Sequence, residues 1–193
     1  MKAMKNTFTA ALVLISSLSF AQNFEGVITM NTSNAEIKEE ASLTWYLKAN
    51  SSRIDIKSRA DGYDSRYAII IDEKGTHMVA EGHVTEIPQR SIKTESSSQT
   101  RLSQEDGVMA NGFNCSKEVF FDGKNQTIYW LTKDLGIGFD DIPMVLRRSM
   151  PSIKTTGFPV KMEKRSADGK VLVSQDVLSV KSTSVSDSNF DRK

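Results

Sequence analysis

The chain has 193 residues, with 25 Lys and Arg side chains against 24 Asp and Glu, which gives a formal net charge of +1. This balance provides no basic excess for a nucleic acid or an anionic membrane surface. The length is typical of one domain, and the single cysteine, Cys115, excludes an internal disulfide.

The N-terminal end has the pattern of a secretory signal peptide. Lys2 and Lys5 precede a short apolar run, Phe8–Phe20, and small residues end it at Ala21. The run is shorter than the roughly 20 residues that a membrane-spanning helix needs. We therefore predict that residues 1–21 are cleaved and that the remaining chain is periplasmic or secreted, without a transmembrane segment. An uncleaved N-terminal anchor is the alternative.

Apolar and polar residues alternate along several short stretches of the first half of the chain, as in strands with one face on a core and one in water. The clearest case is Ser52–Arg59, where Ile54 and Ile56 point to one side. Tyr67–Asp72 is a continuous apolar run, which indicates a strand covered on both faces. The predicted strands are Phe24–Asn31, Ala41–Lys48, Ser52–Arg59, Tyr67–Asp72, Thr76–Ala80 and His83–Ile87.

The stretch Pro88–Gly107 differs in composition from the rest of the chain. It is rich in Ser, Thr, Gln and charged residues, and Ile92 and Leu102 are its only large aliphatic residues. Because too little chain follows for a second independent core, we predict that residues 22–193 form a single domain with a mobile loop at 88–107.

Strand patterns resume in the second half at Asn111–Phe121 and Gln126–Thr132, which flank a turn. Near the C-terminus, Phe158–Arg165 and Val171–Val180 flank the sequence Ser-Ala-Asp-Gly at 166–169. Asp-Gly between two strand-like runs is a strong hairpin signal. The whole pattern predicts some nine or ten antiparallel strands.

One helix is predicted, at Asp140–Met150. An aspartate can cap its start, and Pro143 lies in its first turn, where a missing N–H costs nothing. The apolar residues of this stretch form one stripe, which must be buried on the sheet. The stripe consists of Ile142, Val145, Leu146 and Met150.

No arrangement of residues in the sequence meets the requirements of a catalytic, metal or cofactor site. His77 and His83 match no metal-binding motif, and Cys115 has no catalytic partner at a recognisable spacing. We therefore predict a protein that is not an enzyme. Large apolar residues could line a cavity, although packing in a filled core is the alternative. The cavity candidates are Trp45, Phe120, Trp130, Ile142, Val145 and Leu146.

Four short motifs follow one another in the order of a known family. Phe24–Gly26 leads the first strand, Asn111–Lys117 is similar to a G-[YF]-x-C-x-K stretch, and Gly157–Val160 and Val185–Phe190 lie on either side of the C-terminal hairpin. Together they resemble a family of exported Gram-negative bacterial proteins, the domain-of-unknown-function family numbered 4412. The resemblance covers nearly all of the chain after the signal peptide, and it brings no assigned catalytic residues.

The resemblance implies a fold similar to that of the periplasmic lipoprotein carriers of the LolA/LolB type. Those carriers are curved antiparallel half-barrels that hold acyl chains in their concave side, where a helix also packs. We therefore predict a mainly β protein with minor α: a curved antiparallel sheet, a LolA-like half-barrel, with one short amphipathic helix packed on the concave face. The fold does not by itself transfer the activity.

Two functions are compatible with the sequence. The first is an exported envelope binding protein, non-catalytic, that holds an apolar ligand such as a lipid or acyl chain. The alternative is a ligand-free structural or protein-interaction module of the cell envelope, with an envelope protein as its partner. Its partner surface would be an exposed sheet edge or the predicted loop.

Overall fold

The computed structural model describes residues 24–88, 99–147, 153 and 155–192, apart from the side chains of Met144 and Val145. The predicted signal peptide, residues 1–21, lies outside the described residues. So do residues 89–98, which include half of the predicted loop.

The described chain forms one antiparallel sheet of eleven strands, in the order β6-β5-β4-β3-β2-β1-β11-β10-β9-β8-β7. The prediction of a mainly β, antiparallel architecture is confirmed. Among the described residues the sheet is open, because β6 and β7 each pair on one side only. The strands are β1 (Gly26–Asn34), β2 (Glu39–Lys48), β3 (Ser51–Ala60), β4 (Tyr63–Asp72), β5 (Gly75–Ala80), β6 (His83–Glu86), β7 (Thr100–Ala110), β8 (Phe113–Phe121), β9 (Gln126–Thr132), β10 (Phe158–Arg165) and β11 (Val171–Ser182).

The predicted hairpin before β11 is confirmed, and several other hairpin turns use left-handed backbone. In the turn between β7 and β8, Asn111 and Gly112 have φ values of +49° and +83°. Two successive residues with positive φ match the right-handed twist of the flanking strands. Between β10 and β11, the N–H of Ser166 donates to the carbonyl of Lys170 at 2.9 Å, and Gly169 has φ +84°.

The predicted loop at 88–107 is wrong for its last part, because β7 begins at Thr100. β7 pairs only with β8, and nearly all its side chains are exposed. An edge strand of this kind needs few apolar residues, so its composition resembles that of a loop. Its pairing is also interrupted by irregularities at Leu102 and Gly107, which makes the alternation hard to recognise.

The predicted helix Asp140–Met150 is not confirmed. The chain forms a 3₁₀ turn at Phe139–Asp141 and a four-residue helix, α1, at Met144–Arg147, and residues 148–150 lie outside the described residues. Ile142 separates the two pieces with φ −69° and ψ 125°, an extended conformation. The ring of Pro143 disfavours the helical conformation for the residue before it. The proline therefore starts α1 and breaks the longer helix.

A second 3₁₀ turn lies at Asp187–Phe190. Within the described ranges, none of these helical pieces has the length and apolar character that a crossing of a lipid bilayer requires.

One face of the sheet, here called the inner face, carries the hydrophobic core. The buried cluster takes residues from β1 to β4 and from β7 to β11, and it also includes residues of the chain between β9 and β10. Along β1, Ile28 and Met30 are buried while Thr29 between them is only half-buried, as expected from the two-residue period of a strand. The opposite face is called the outer face.

The sheet bends towards its inner face. β2 and β10 are three ladders apart, so a flat sheet would hold them about 14 Å apart, at about 4.8 Å per ladder. The rings of Trp45 on β2 and Phe158 on β10 nevertheless have centroids only 6.2 Å apart. Side chains standing upright on a flat sheet would not meet at this distance, and we infer that the inner face is concave.

The C-terminal tail, residues 183–192, is attached to the rest of the protein at both ends. At its start, the carboxylate of Glu25 accepts a hydrogen bond from the N–H of Val185 at 2.6 Å, and the Val185 side chain is buried. At its end, Arg192 donates to both carboxylate oxygens of Asp72, at 2.8 and 2.7 Å. The tail therefore joins the N-terminal end of β1 to the end of β4.

The ion pair at the end of the tail makes its attachment pH-dependent. Burial raises the pKa of Asp72, but hydrogen bonds from Arg192 and from the backbone N–H of Lys74 outweigh this effect, so the pKa lies below its usual value. A carboxyl group whose pKa is lowered by folding contributes stability above its unfolded pKa of about 3.9. This contribution is lost as the pH falls through the lower folded value.

Replacement of Glu25 tests the first attachment. Glu25→Ala leaves the N–H of Val185 without its charged acceptor, and hydrogen bonds to charged groups contribute about 1.5–3 kcal/mol. We expect a loss of that order in the free energy of unfolding, measured with urea, and faster hydrogen exchange at the Val185 amide. Glu36→Ala, at an exposed turn position, is the control. Unchanged exchange at Val185 would contradict the assignment.

Replacement of Arg192 tests the second attachment. We expect Arg192→Ala to lower the free energy of unfolding near pH 7 by up to about 1 kcal/mol. The difference from wild type should shrink at acid pH, as the pH falls from the unfolded pKa of about 3.9 through the lower folded pKa of Asp72. The control is Arg59→Ala, which removes a well-exposed pair with Asp64 and should have a smaller effect. An equal loss at neutral and at acid pH would contradict the assignment.

Candidate functional site

The inner face is covered by the chain that connects β9 to β10. Its described continuous part, residues 133–147, is called the connecting segment. Ile137, Phe139 and Ile142 of this segment are each no more than 3% exposed and belong to the buried cluster. The carboxylate of Asp141 accepts a hydrogen bond from the N–H of Gly138 at 2.6 Å, which fixes the turn that carries Phe139. The core of the sheet is therefore completed by an irregular segment of the same chain.

The structure brings several of the predicted cavity residues into this cluster. Trp45, Phe120 and Ile142 are buried in it, and Leu146 is half-buried against it. The side chain of Val145 lies outside the described residues. Four of the six predicted residues thus share one region, which their own packing helps to fill.

Trp130 lies apart from the other candidates. It alternates with the buried Tyr129 and Leu131 along β9, so its ring belongs to the outer face, although it still contacts the edge of the cluster. The ammonium nitrogens of Lys117 and Lys161 lie 5.8 and 5.2 Å from the ring centroid. Both lysines are directly opposite Trp130 in the two neighbouring ladders. Its surroundings are cationic, which is unlike an apolar cavity.

Sequence reasoning missed a buried carboxylate on the inner face. The Glu118 side chain on β8 is only 6% exposed. Its Oε1 accepts a hydrogen bond from the Thr155 hydroxyl at 3.0 Å. Its Oε2 lies 3.7 Å from Nη1 of Arg101, and no donor among the described residues makes a hydrogen bond to it. The two-residue alternation with Phe120 was the signal that could have placed Glu118 on this face.

A buried phenol faces Glu118 across the β8–β9 ladder. Tyr129 is directly opposite Glu118 and has no exposed surface. Burial raises the pKa of its phenol well above the usual value, and its hydroxyl has no hydrogen-bond partner in the described part of the chain. The rings of Phe120 and Phe139 meet Tyr129 edge-on, with centroids 6.0 and 5.9 Å away. A buried polar group without a partner costs about 1–3 kcal/mol.

Cys115 is buried, and burial raises the pKa of its thiol, which disfavours the reactive thiolate. Within residues 24–88, 99–147, 153 and 155–192, no group of three or more His, Cys, Asp or Glu side chains could hold a metal ion.

An open groove of about 580 Å³ lies across the outer face of β11, β1, β2, β3 and β4. Its lining is polar and contains equal numbers of cationic and anionic side chains, which makes it a poor match for an apolar ligand. The charged residues are Lys57, Arg59, Arg66, Glu40, Asp64 and Asp176.

The fold and the site define a class of protein: an open antiparallel sheet whose concave, apolar inner face is covered by one of its own connections. The chain belongs to the family described as "Domain of unknown function (DUF4412)", whose model matches residues 24–192. No curated protein matches the chain at a significant level.

Solved structures support the same fold. An uncharacterized conserved protein from Thermus thermophilus is similar with a TM-score of 0.53 at 15% identity, over 88% of this chain and 85% of that one. MucB, in its complex with MucA from Pseudomonas aeruginosa, has a TM-score of 0.51 at 9% identity, over 89% of this chain and 56% of that chain. At these identities the likeness shows the fold alone. It agrees with the mainly β, antiparallel architecture of the described chain.

Replacement of Phe139 tests how firmly the connecting segment is packed. Phe139→Ala removes a buried ring that contacts Tyr129, and such truncations cost about 3–5 kcal/mol. We expect a loss of this size in the free energy of unfolding by urea. Leu178→Ala is the control, because Leu178 is 61% exposed and should change stability by less than about 0.5 kcal/mol. Equal stability of the two variants would show that the segment does not complete the core.

Proposed function

We propose that this protein is an exported envelope protein that binds an apolar ligand, such as a lipid or acyl chain, between the inner face and the connecting segment, without catalysis. The observation that carries the proposal is the nature of the cover on the inner face. A second sheet or a long helix would close the core with many backbone hydrogen bonds. Here the cover is a short irregular segment held mainly by Ile137, Phe139 and Ile142.

The energies allow a ligand to compete with this cover. Burial of an apolar side chain contributes about 1.5–3 kcal/mol, so the three residues together contribute roughly 5–9 kcal/mol. An aliphatic chain of about sixteen carbons can gain up to about 13 kcal/mol at about 0.8 kcal/mol per buried CH₂ group. The apolar burial that a long acyl chain offers is thus of the same order as the burial of these three side chains, so the chain can compete with them for the inner face.

The shape of the sheet favours the same function. The bend that brings Trp45 to 6.2 Å from Phe158 makes the inner face a trough, and a half-barrel of this kind can enclose a chain-like ligand along its length. Ligand sites are typically concave and mostly apolar, with few polar groups. Export to the envelope rests on the signal-peptide pattern of residues 1–21, and it places the protein where lipids are accessible.

A protein-interaction module is the second candidate, and the edge strand β7 favours it. β7 is eleven residues long and unpaired on one side among the described strands, and Leu102 and Met109 on it are 52% and 66% exposed. An extended partner segment could add to such an edge. MucB, which is similar in fold, forms a complex with the protein MucA. The irregular pairing of β7 limits the length of strand that could be added.

Replacement of Leu146 by a charged residue tests ligand binding. Leu146 is half-buried at the edge of the cluster, so Leu146→Glu should disturb an apolar ligand more than it disturbs the fold. We expect at least a tenfold drop in the fraction of protein that carries lipid, since one buried charge costs several kcal/mol. The measurement is native mass spectrometry of protein purified from its own envelope, followed by organic extraction and lipid analysis.

Leu178→Glu is the matched control, because it makes the same change at an exposed position of β11. Equal lipid occupancy in two folded variants would reject the inner face as the site. If wild-type protein also carries no lipid after incubation with membrane lipids, the interaction module becomes the better explanation.

A further inference from the structure

Glu118 and Tyr129 form a polar pair in an otherwise apolar part of the inner face. They are direct neighbours across the β8–β9 ladder, and both are more than nine-tenths buried. The aromatic rings of Phe120 and Phe139 both contact Tyr129 edge-on, at about the same distance. Phe139 belongs to the connecting segment, so the pair lies beneath the cover that a ligand would displace.

The pair has hydrogen-bonding capacity that the described chain does not use. The Oε2 atom of Glu118 and the hydroxyl of Tyr129 are both buried without a hydrogen-bond partner among the described residues. The carboxylate oxygen can only accept, whereas the phenol can donate to an acceptor. A ligand group that forms hydrogen bonds with both atoms must therefore have a donor next to an acceptor.

The position of Arg101 indicates which charge a ligand group at this pair can carry. Its Nη1 donates to Gln104 at 2.7 Å and lies 3.7 Å from Glu118, too far for a hydrogen bond but close enough to offset the carboxylate charge. A cationic ligand group such as an ammonium would be repelled by this guanidinium. A neutral hydrogen-bond donor therefore fits better. A ligand carboxylate would be repelled by Glu118 and would leave its Oε2 unpaired.

We propose that Glu118 and Tyr129 bind the polar head of the ligand, and that this head is a neutral amide attached to the aliphatic chain. The inference rests on the proposed function and adds the class of head group. The amide N–H donates to Oε2 of Glu118, and the amide carbonyl accepts from the hydroxyl of Tyr129. The chain extends from there along the apolar part of the inner face.

Three probes of equal chain length test the head group: hexadecanamide, methyl hexadecanoate and hexadecanoate. We expect wild-type protein to bind the amide at least about tenfold more tightly than the ester, which has no donor, because hydrogen bonds to buried charged groups contribute that much. The carboxylate should bind most weakly. Binding is measured by displacement of a fluorescent fatty-chain probe from the full mature chain.

Two variants separate recognition from structure. Glu118→Leu should reduce the preference for the amide over the ester to less than about threefold. Tyr129→Phe should lower amide affinity about fivefold or more while leaving the denaturant midpoint unchanged or higher, because it removes a buried unpaired hydroxyl and keeps the ring. A lower midpoint would instead indicate a structural role of the hydroxyl and overturn its assignment. Glu105→Leu is the control, because Glu105 is an exposed carboxylate on β7.

The outcomes distinguish the binding of an aliphatic chain from the recognition of its head group. If wild type binds the amide and the ester equally, binding of an aliphatic chain stands and the assignment of Glu118 and Tyr129 is overturned. If wild type binds none of the three probes, the proposed function fails, and the head-group inference fails with it.

Discussion

The pairing of β1 with β11 is the contact on which the rest of the sheet depends. Each half of the sheet, β1–β6 and β7–β11, is a simple meander, and this ladder is the one that joins them in the described structure. It pairs the start of β1 with the end of β11, so Gly26 is opposite Ser182. A side chain at Gly26 would place its Cβ 2.2 Å from the carbonyl oxygen of Lys181. Close approach of the two strands therefore requires glycine here.

The motifs that identify the family are explained by contacts of this kind. Glu25, next to Gly26, holds the tail that contains Val185–Phe190. Two further motifs, Asn111–Lys117 and Gly157–Val160, are also in contact. The side-chain amide of Asn111 donates to the carbonyl of Val160 at 2.9 Å. Gly157 has φ +94°, and a Cβ there would lie 2.7 Å from the carbonyl oxygen of Thr132. The family motifs therefore lie at contacts that hold the strands and the tail together, and they give no direct information about a ligand.

Most strands could be predicted from sequence because one face of each is wet, as the alternation around Ile54 shows. The long helix at Asp140–Met150 was predicted wrongly because of Pro143. A proline is favoured in the first turn of a helix, but its ring also disfavours the helical conformation for the residue before it. The face of Trp130 could not be predicted, since β9 carries apolar residues on both sides. The buried Glu118 was missed because a charged residue in a strand is usually placed in water.

The polar pair bears on the choice between a filled core and a binding site. If the inner face served only to stabilise the fold, apolar residues at both positions would avoid the cost of burying unpaired polar atoms, and such replacements are often neutral or stabilising. The apolar surface around Phe139 can supply most of the affinity for an aliphatic chain, but it does not distinguish one chain from another. Buried groups that remain unpaired with the wrong ligand provide that discrimination. Burial of the unpaired polar atoms of Glu118 and Tyr129 destabilises the free protein. A selective site requires this arrangement, because only the right ligand pairs with both atoms.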